Sequence, residues 1–180
     1  MNKGNGLLRG RFKFKDLSVT AVLMRGATLI ALLVTIHSSV IPQVTKPTPK
    51  VALKNLQGRI VRLSDYKGKV VMLNFWAEWC APCLAEMPDL IKWQKENKAR
   101  GLVVLGVTYP PTELPEVHQV LKKLGVNYPI LLGDEATKTQ FDDGDVLPMT
   151  VIIDRKGKIR DIVQGTMDVD EFKAKVVPLL

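Results

Sequence analysis

Both cysteines of the chain lie within four residues, Cys80-Ala81-Pro82-Cys83, inside the run Asn74-Phe-Trp-Ala-Glu-Trp-Cys-Ala-Pro-Cys83. Two thiols at this spacing can clip a metal, staple a loop, or make and break a disulfide. A structural metal site wants four Cys or His ligands. The chain has two histidines, His37 near the N-terminus and His118 far along the sequence, so the ligand set is short. Covalent haem attachment needs a histidine directly after the second cysteine, where Leu84 stands. A disulfide across so small a ring removes little chain entropy, which makes a purely structural staple a poor use of it. The spacing favours a working redox bond, with no metal and no cofactor.

The flanking residues suggest how such a bond would be driven. A buried-looking strand precedes the pair and a helix is expected to begin near Cys80. At that position unpaired backbone N–H groups and the helix dipole favour a thiolate, which is the attacking form. Pro82 is tolerated in a first helical turn, where its missing N–H costs nothing. Cys83, one turn in, is expected to be the more buried thiol and to resolve a mixed disulfide.

The elements that must position the pair follow from apolar patterning. Val51 to Leu63 reads as a hairpin turned around Asn55 to Gly58. Val70 to Phe75 is an apolar run with one polar break, as in a strand covered on both faces. A helix is expected from about Cys80 to Arg100, kinked at Pro88 and ended by Gly101. Leu102–Tyr109 is a second buried strand, Glu113–Leu124 a helix stopped by Gly125, Tyr128–Leu132 a short strand and Glu135–Phe141 a short helix. Thr150–Asp154 should pair with Ile159–Gln164 through the turn at Lys156-Gly157, and Val169–Leu180 closes the chain as a helix. Strands alternating with helices, finished by a hairpin and a helix, indicate an α/β domain with a central mixed sheet flanked by helices on both faces.

With 180 residues, 46% of them hydrophobic, the chain can bury one ordinary core. The formal charge of +8 is concentrated at the start. Lys3, Arg9, Arg11, Lys13, Lys15 and Arg25 against Asp16 alone put +5 into the first 25 residues. The +3 left over is ordinary for a soluble domain, so no nucleic-acid partner is expected. The basic start precedes the apolar stretch Gly26–Ile36, which weakens through His37–Ile41 and gives way to Pro42, Pro47 and Pro49. Residues 1–41 are therefore read as a membrane anchor or signal helix, residues 42–50 as a Pro-rich linker and residues 51–180 as the domain. No pair of small residues sits at cleavage spacing, which favours an uncleaved anchor, with a cleaved and secreted chain as the alternative. The basic residues before the span put the domain outside the cytoplasm, in a periplasm or on the outer face of the cytoplasmic membrane.

The motif Asn74–Cys83, Pro88 five residues after Cys83, and Val146-Leu-Pro-Met-Thr-Val-Ile-Ile-Asp-Arg-Lys-Gly-Lys158 resemble the thioredoxin-like proteins of the TlpA/ResA class. The resemblance covers about Val51 to Leu180. It implies a thioredoxin-like fold, here with an N-terminal β-hairpin extension. It also implies a cis peptide at Leu147-Pro148, which would leave backbone beside Cys80 to hold a substrate polypeptide. Trp79 and Pro82 would share that substrate face, whereas Trp76 is expected to pack inside and Glu78 to be exposed. Thioredoxins carry a buried Asp at the position of Asn74, and Asn74 cannot titrate. Glu86, one turn after Cys83, resembles the acidic residue that this class places near the pair, so Cys80, Cys83 and Glu86 form the expected catalytic set.

What the resemblance implies for function is a monomeric, membrane-tethered thiol–disulfide oxidoreductase. It would reduce disulfides of exported proteins such as apocytochrome c, with electrons from an integral-membrane thiol donor. A disulfide-forming oxidase and a non-catalytic module binding a client or Cu(I) are the alternatives. A peroxidase on the same fold would place its reactive cysteine in a different loop. The acidic Asp142, Asp143 and Asp145 precede the Pro148 loop and are expected in a solvated loop that could influence client choice.

Overall fold

The computed structural model describes residues 48–180 apart from Pro111 and Asp143. The expected anchor at 1–41 and most of the expected linker lie outside the described residues. Seven strands form one sheet in the order β2-β1-β5-β4-β3-β6-β7. They are β1 (Ala52–Asn55), β2 (Ile60–Arg62), β3 (Val70–Trp76), β4 (Leu102–Thr108), β5 (Ile130–Leu132), β6 (Met149–Ile153) and β7 (Ile159–Gln164). Strands β3, β4 and β5 run parallel, while β6 pairs antiparallel with β3 and with β7. At the other edge β1 pairs antiparallel with β5 and with β2.

Among the described residues four helices flank the sheet: α1 (Ala81–Asn97), α2 (Leu114–Leu124), α3 (Glu135–Thr139) and α4 (Val169–Lys175). The crossovers β3-α1-β4 and β4-α2-β5 step across the sheet in the same direction. Because such crossovers are right-handed, both helices fall on the same face. Met87, Leu90 and Trp93 of α1, Val117 of α2 and Phe172 of α4 accordingly share one core with Val70, Met72 and Trp76 of β3. The other face holds Val71, Leu73 and Phe75 of the same strand with Val151 and with Phe141, just beyond α3. Leu63 and Tyr66, from a 3-10 turn at Leu63–Tyr66 that the sequence reading did not foresee, pack against it.

Strand alternation has a direct consequence for Asn74. Val70, Met72 and Trp76 point toward α1, so Asn74 points there too. The one polar residue in an otherwise apolar strand is therefore aimed at the helix that carries the cysteines.

Helix ends differ modestly from expectation. Helix α1 stops at Asn97, and Lys98–Arg100 continue as turns to Gly101, whose φ of +93° is readily open to glycine. Helix α2 ends as expected on Gly125 in the left-handed conformation. The last helix stops at Lys175 and is followed by a 3-10 turn at Val177–Leu179, because Pro178 cannot donate to a continuing helix.

The chain end is fastened by aromatic stacking. The Trp93 and Phe172 rings lie 4.3 Å apart and nearly parallel, at 7°. Phe172→Ala is expected to lower the unfolding free energy by about 3–5 kcal/mol, read from urea unfolding curves of the oxidised protein.

Candidate active site

Strand β3 delivers its last residue, Trp76, four positions before Cys80, and α1 starts at Ala81. Cys80 is the N-cap of α1, and its sulfur accepts a hydrogen bond from the backbone N–H of Cys83 at 3.3 Å. Pro82 occupies the first turn, as expected for a proline at a helix start. Cys80 and Cys83 are joined as a disulfide, with sulfurs 2.04 Å and Cα atoms 5.3 Å apart. Both are buried, Cys80 at 5% exposure and Cys83 at 1%.

The Leu147-Pro148 peptide is cis. Its place follows from register: Met149 opens β6 opposite Phe75, near the end of β3, so the cis loop and the cysteine loop share one end of the sheet. Leu147 packs against the core cluster that contains Cys80 and Cys83, and the Pro148 carbonyl accepts the Gly165 N–H at 2.8 Å.

Behind the disulfide sits a buried polar cluster. Glu86 is 4% exposed. Its Oε1 accepts the backbone N–H of Met167 at 2.6 Å, and its Oε2 accepts from Asn74 Nδ2 at 3.1 Å. The same amide nitrogen donates to Thr150 Oγ1 at 2.9 Å, so both of its hydrogens are used. Burial pushes the Glu86 carboxyl up to about 7; the Met167 N–H and the Asn74 amide pull it down, and Asp89 and Glu171 add smaller upward pushes. In this setting an aspartate at 74 would face Glu86 as a second carboxylate at hydrogen-bond distance, and the two could not both ionise. An amide at 74 and a carboxyl at 86 therefore belong together.

The arrangement has the parts for thiol–disulfide exchange. The N–H of Cys83 is aimed at the Cys80 sulfur, and a donor in that position favours a thiolate over a thiol. The Glu86 carboxyl, pushed up to about 7, lies one helical turn beyond Cys83.

Not every expected residue behaves as the sequence suggests. Glu78 is buried at 7% exposure, contrary to its expected solvent position. Its Oε1 accepts the backbone N–H of Glu113 at 2.9 Å, tying the cysteine loop to the N-cap of α2. Only the tertiary approach of that helix buries it, and nothing in the local sequence signals the contact. Trp76 is fully buried, as expected, while Trp79 is 56% exposed and presents its indole at the surface beside the pair. Pro82 is exposed. Sequence reasoning also missed Lys138, which is 2% exposed, donates through Nζ to the Gly144 carbonyl and stands 5.8 Å over the Tyr109 ring. Lys138 thereby fastens the acidic loop before Pro148. Within that loop Asp142 accepts the Gly144 N–H and the Gln164 side-chain amide, so it is more ordered than a freely solvated residue; Asp143 lies outside the described residues.

Comparison with known proteins gives a consistent picture. Residues 44–162 match the AhpC/TSA family. The thiol-disulfide oxidoreductase ResA of Bacillus subtilis is 36% identical over 119 residues, spanning 66% of each chain. The protein of the same name from Geobacillus kaustophilus is 32% identical over 161 residues, 84% of this chain and 92% of that one. Among solved structures, a thiol:disulfide interchange protein DsbE from Chlorobium tepidum superposes with a TM-score of 0.67 at 26% identity, covering 75% of this chain and 96% of that one.

The raised pKa of Glu86 makes stability depend on pH with a definite sign. A carboxyl whose folded pKa lies above its unfolded value stabilises fully below about 4.5, and that contribution is lost as pH rises through about 7. The oxidised protein should therefore lose up to about 3 kcal/mol across this window. Glu86→Gln should flatten the slope, as urea unfolding at pH values from 4 to about 8 would show.

Proposed function

From the premise that the chain belongs to the AhpC/TSA family and is a thiol–disulfide oxidoreductase of the ResA/DsbE type, we propose that it works as a reductant of disulfides in exported polypeptides. The observation that carries the direction is the charge around the pair. From Val70 to Ile91 the chain has no Lys, Arg or His, and it has three acids, Glu78, Glu86 and Asp89, the first two buried. A segment with acids and no cation supplies no side-chain charge to stabilise a Cys80 thiolate, which supports a low reduction potential in this reading. An oxidase gains its drive from the opposite arrangement, a stabilised thiolate.

In this reading the Cys80 thiolate attacks one sulfur of the client disulfide. That S–S bond breaks, a Cys80–client disulfide forms, and the leaving client sulfur departs with the electron pair and takes a proton. Glu86 then accepts the Cys83 proton, and the Cys83 thiolate attacks the Cys80 sulfur. The Cys80–client bond breaks, and the second client sulfur leaves with the electron pair and takes the proton back from Glu86. The disulfide seen in the structure closes as the dithiol client is released. Two electrons and two protons must return from a thiol donor before the next cycle. Leu147 and Pro148 would hold the client backbone, with Trp79 and Pro82 forming the exposed face it crosses.

The basic, then apolar, then Pro-rich order of residues 1–50 supports a tethered domain outside the cytoplasm. A tether would raise the effective concentration of membrane partners, including an integral-membrane thiol donor and apocytochrome c as one client.

The deciding measurement is the equilibrium reduction potential of the Cys80/Cys83 pair against a thiol redox buffer. A reductant should lie near or below about −270 mV; a value nearer about −120 mV would replace this reading with an oxidase. Cys83→Ala should accumulate a covalent client adduct on Cys80, separable by non-reducing electrophoresis, and Cys80→Ala should not.

A further inference from the structure

On the sheet face that carries Val71 and Ile153 lies a groove of about 610 Å³, which reaches the start of β3, the end of β6 and the start of β1. Its floor is apolar, with Val51, Leu63, Val71 and Ile153 contributing. Its rim carries five cationic side chains, Lys50, Arg62, Lys67, Lys69 and Lys156, all exposed. Asp154 is the one carboxylate that lines it, and Asp154 is already engaged by the backbone N–H groups of Lys156 and Lys158 and by Arg160. Asp65, nearby on the 3-10 turn, accepts the backbone N–H of Arg62. Among the described residues none of the five cations has a carboxylate in salt-bridge range.

An uncompensated cationic rim over an apolar floor fits an amphiphilic anion. We propose that this groove seats the domain on an anionic phospholipid surface, with phosphodiester headgroups at the rim and acyl carbons near the interface against the floor. A second copy of the chain would bring the same cations into opposition, which disfavours a self-complementary contact. A nucleic acid would meet aliphatic side chains where stacking platforms are wanted, with Tyr66 the one aromatic in the lining. Thr48 and Pro49 line the groove as well, and Thr48 Oγ1 donates to the Gly157 carbonyl. The described chain therefore enters the domain at this rim, after the apolar stretch Gly26–Ile36.

Sheet geometry then fixes how the redox site is presented. Lys69 and Val71 stand at the start of β3, and Cys80 follows its end. Seven strand residues separate the two ends by about 20 Å. A domain seated by the Lys67, Lys69 and Lys156 part of the rim holds Cys80, which follows the far end of β3, on the order of 20 Å from the lipid. This inference goes beyond the proposed function and does not require residues 1–41 to be an anchor.

The test uses the full-length chain with vesicles of phosphatidylcholine alone or mixed with phosphatidylglycerol. Acylation of individual lysines is read by mass spectrometry. Each basic residue near an anionic surface adds about fivefold to partitioning, and the effect fades beyond a Debye length of about 8 Å at physiological salt. Lys67, Lys69 and Lys156 should be protected several-fold on the anionic vesicles only, and high salt should remove the protection. Lys122 and Lys123, on α2 and outside the groove lining, should label equally throughout. Lys67→Glu combined with Lys69→Glu should abolish protection of Lys156 while reduction of a small disulfide stays unchanged. Equal labelling on both vesicle types overturns the proposal. So does protection by soluble polyglutamate without protection by lipid, which would identify an acidic protein as the occupant. Flotation of the chain with pure phosphatidylcholine reports separately on the N-terminal segment, so failure of the anchor reading and failure of the groove are distinguishable.

Discussion

The site depends on one buried carboxyl. Glu86 lies in the apolar core behind the disulfide, held by the Asn74 amide from β3 and by the Met167 N–H. A carboxylate there is costly in its charged form and a carboxylic acid is tolerated, and two hydrogen bonds to its oxygens bring the forms near balance at neutral pH. That balance constrains the surrounding residues. Asn74 must supply donors without a charge, and Thr150, paired with Asn74 in register across β3 and β6, takes up the amide's second hydrogen. Three strands or loops remote in sequence thus converge on one functional group.

The parallel core of the sheet gives the domain two chemically different ends. Strand β3 is buried along its whole length and ends at the cysteine loop, while β6 starts at the cis proline, so the redox pair and its neighbouring backbone are brought together by antiparallel pairing. The opposite end of the same two strands borders the cationic groove. Because both regions are attached to strands that pack on both faces, neither can shift relative to the other without disturbing the core.

The loops at the redox end are fastened by polar side chains. Glu78 holds the start of α2, and Lys138 holds Gly144 while lying over Tyr109. Each inserts a charged group into a buried setting, which costs stability unless it is partnered. Their partners are backbone groups of loops, so the effect is to order segments that would otherwise be the least constrained parts of the domain. Trp79, by contrast, stays outside with its indole accessible, a disposition suited to contact rather than to packing.

The sequence by itself determined the redox pair, the helix start under it and the order of strands and helices, because these rest on local signals. Cys-x-x-Cys with Pro82 marks a helix N-terminus, unbroken apolar runs mark β3 and β4, and Gly125 and the Lys156-Gly157 turn mark ends and reversals. Glu86 was singled out by its single-turn spacing to Cys83 and by the resemblance, but its burial was not legible. Only the tertiary structure decided that Met167, 81 positions away, would supply an N–H to it, that Glu78 would be buried rather than exposed, and that Lys138 would lie inside. Those outcomes depend on which distant backbone groups come within hydrogen-bond reach. Spacing along a chain carries no information about that, whereas packing of the helices and loops onto the sheet fixes it.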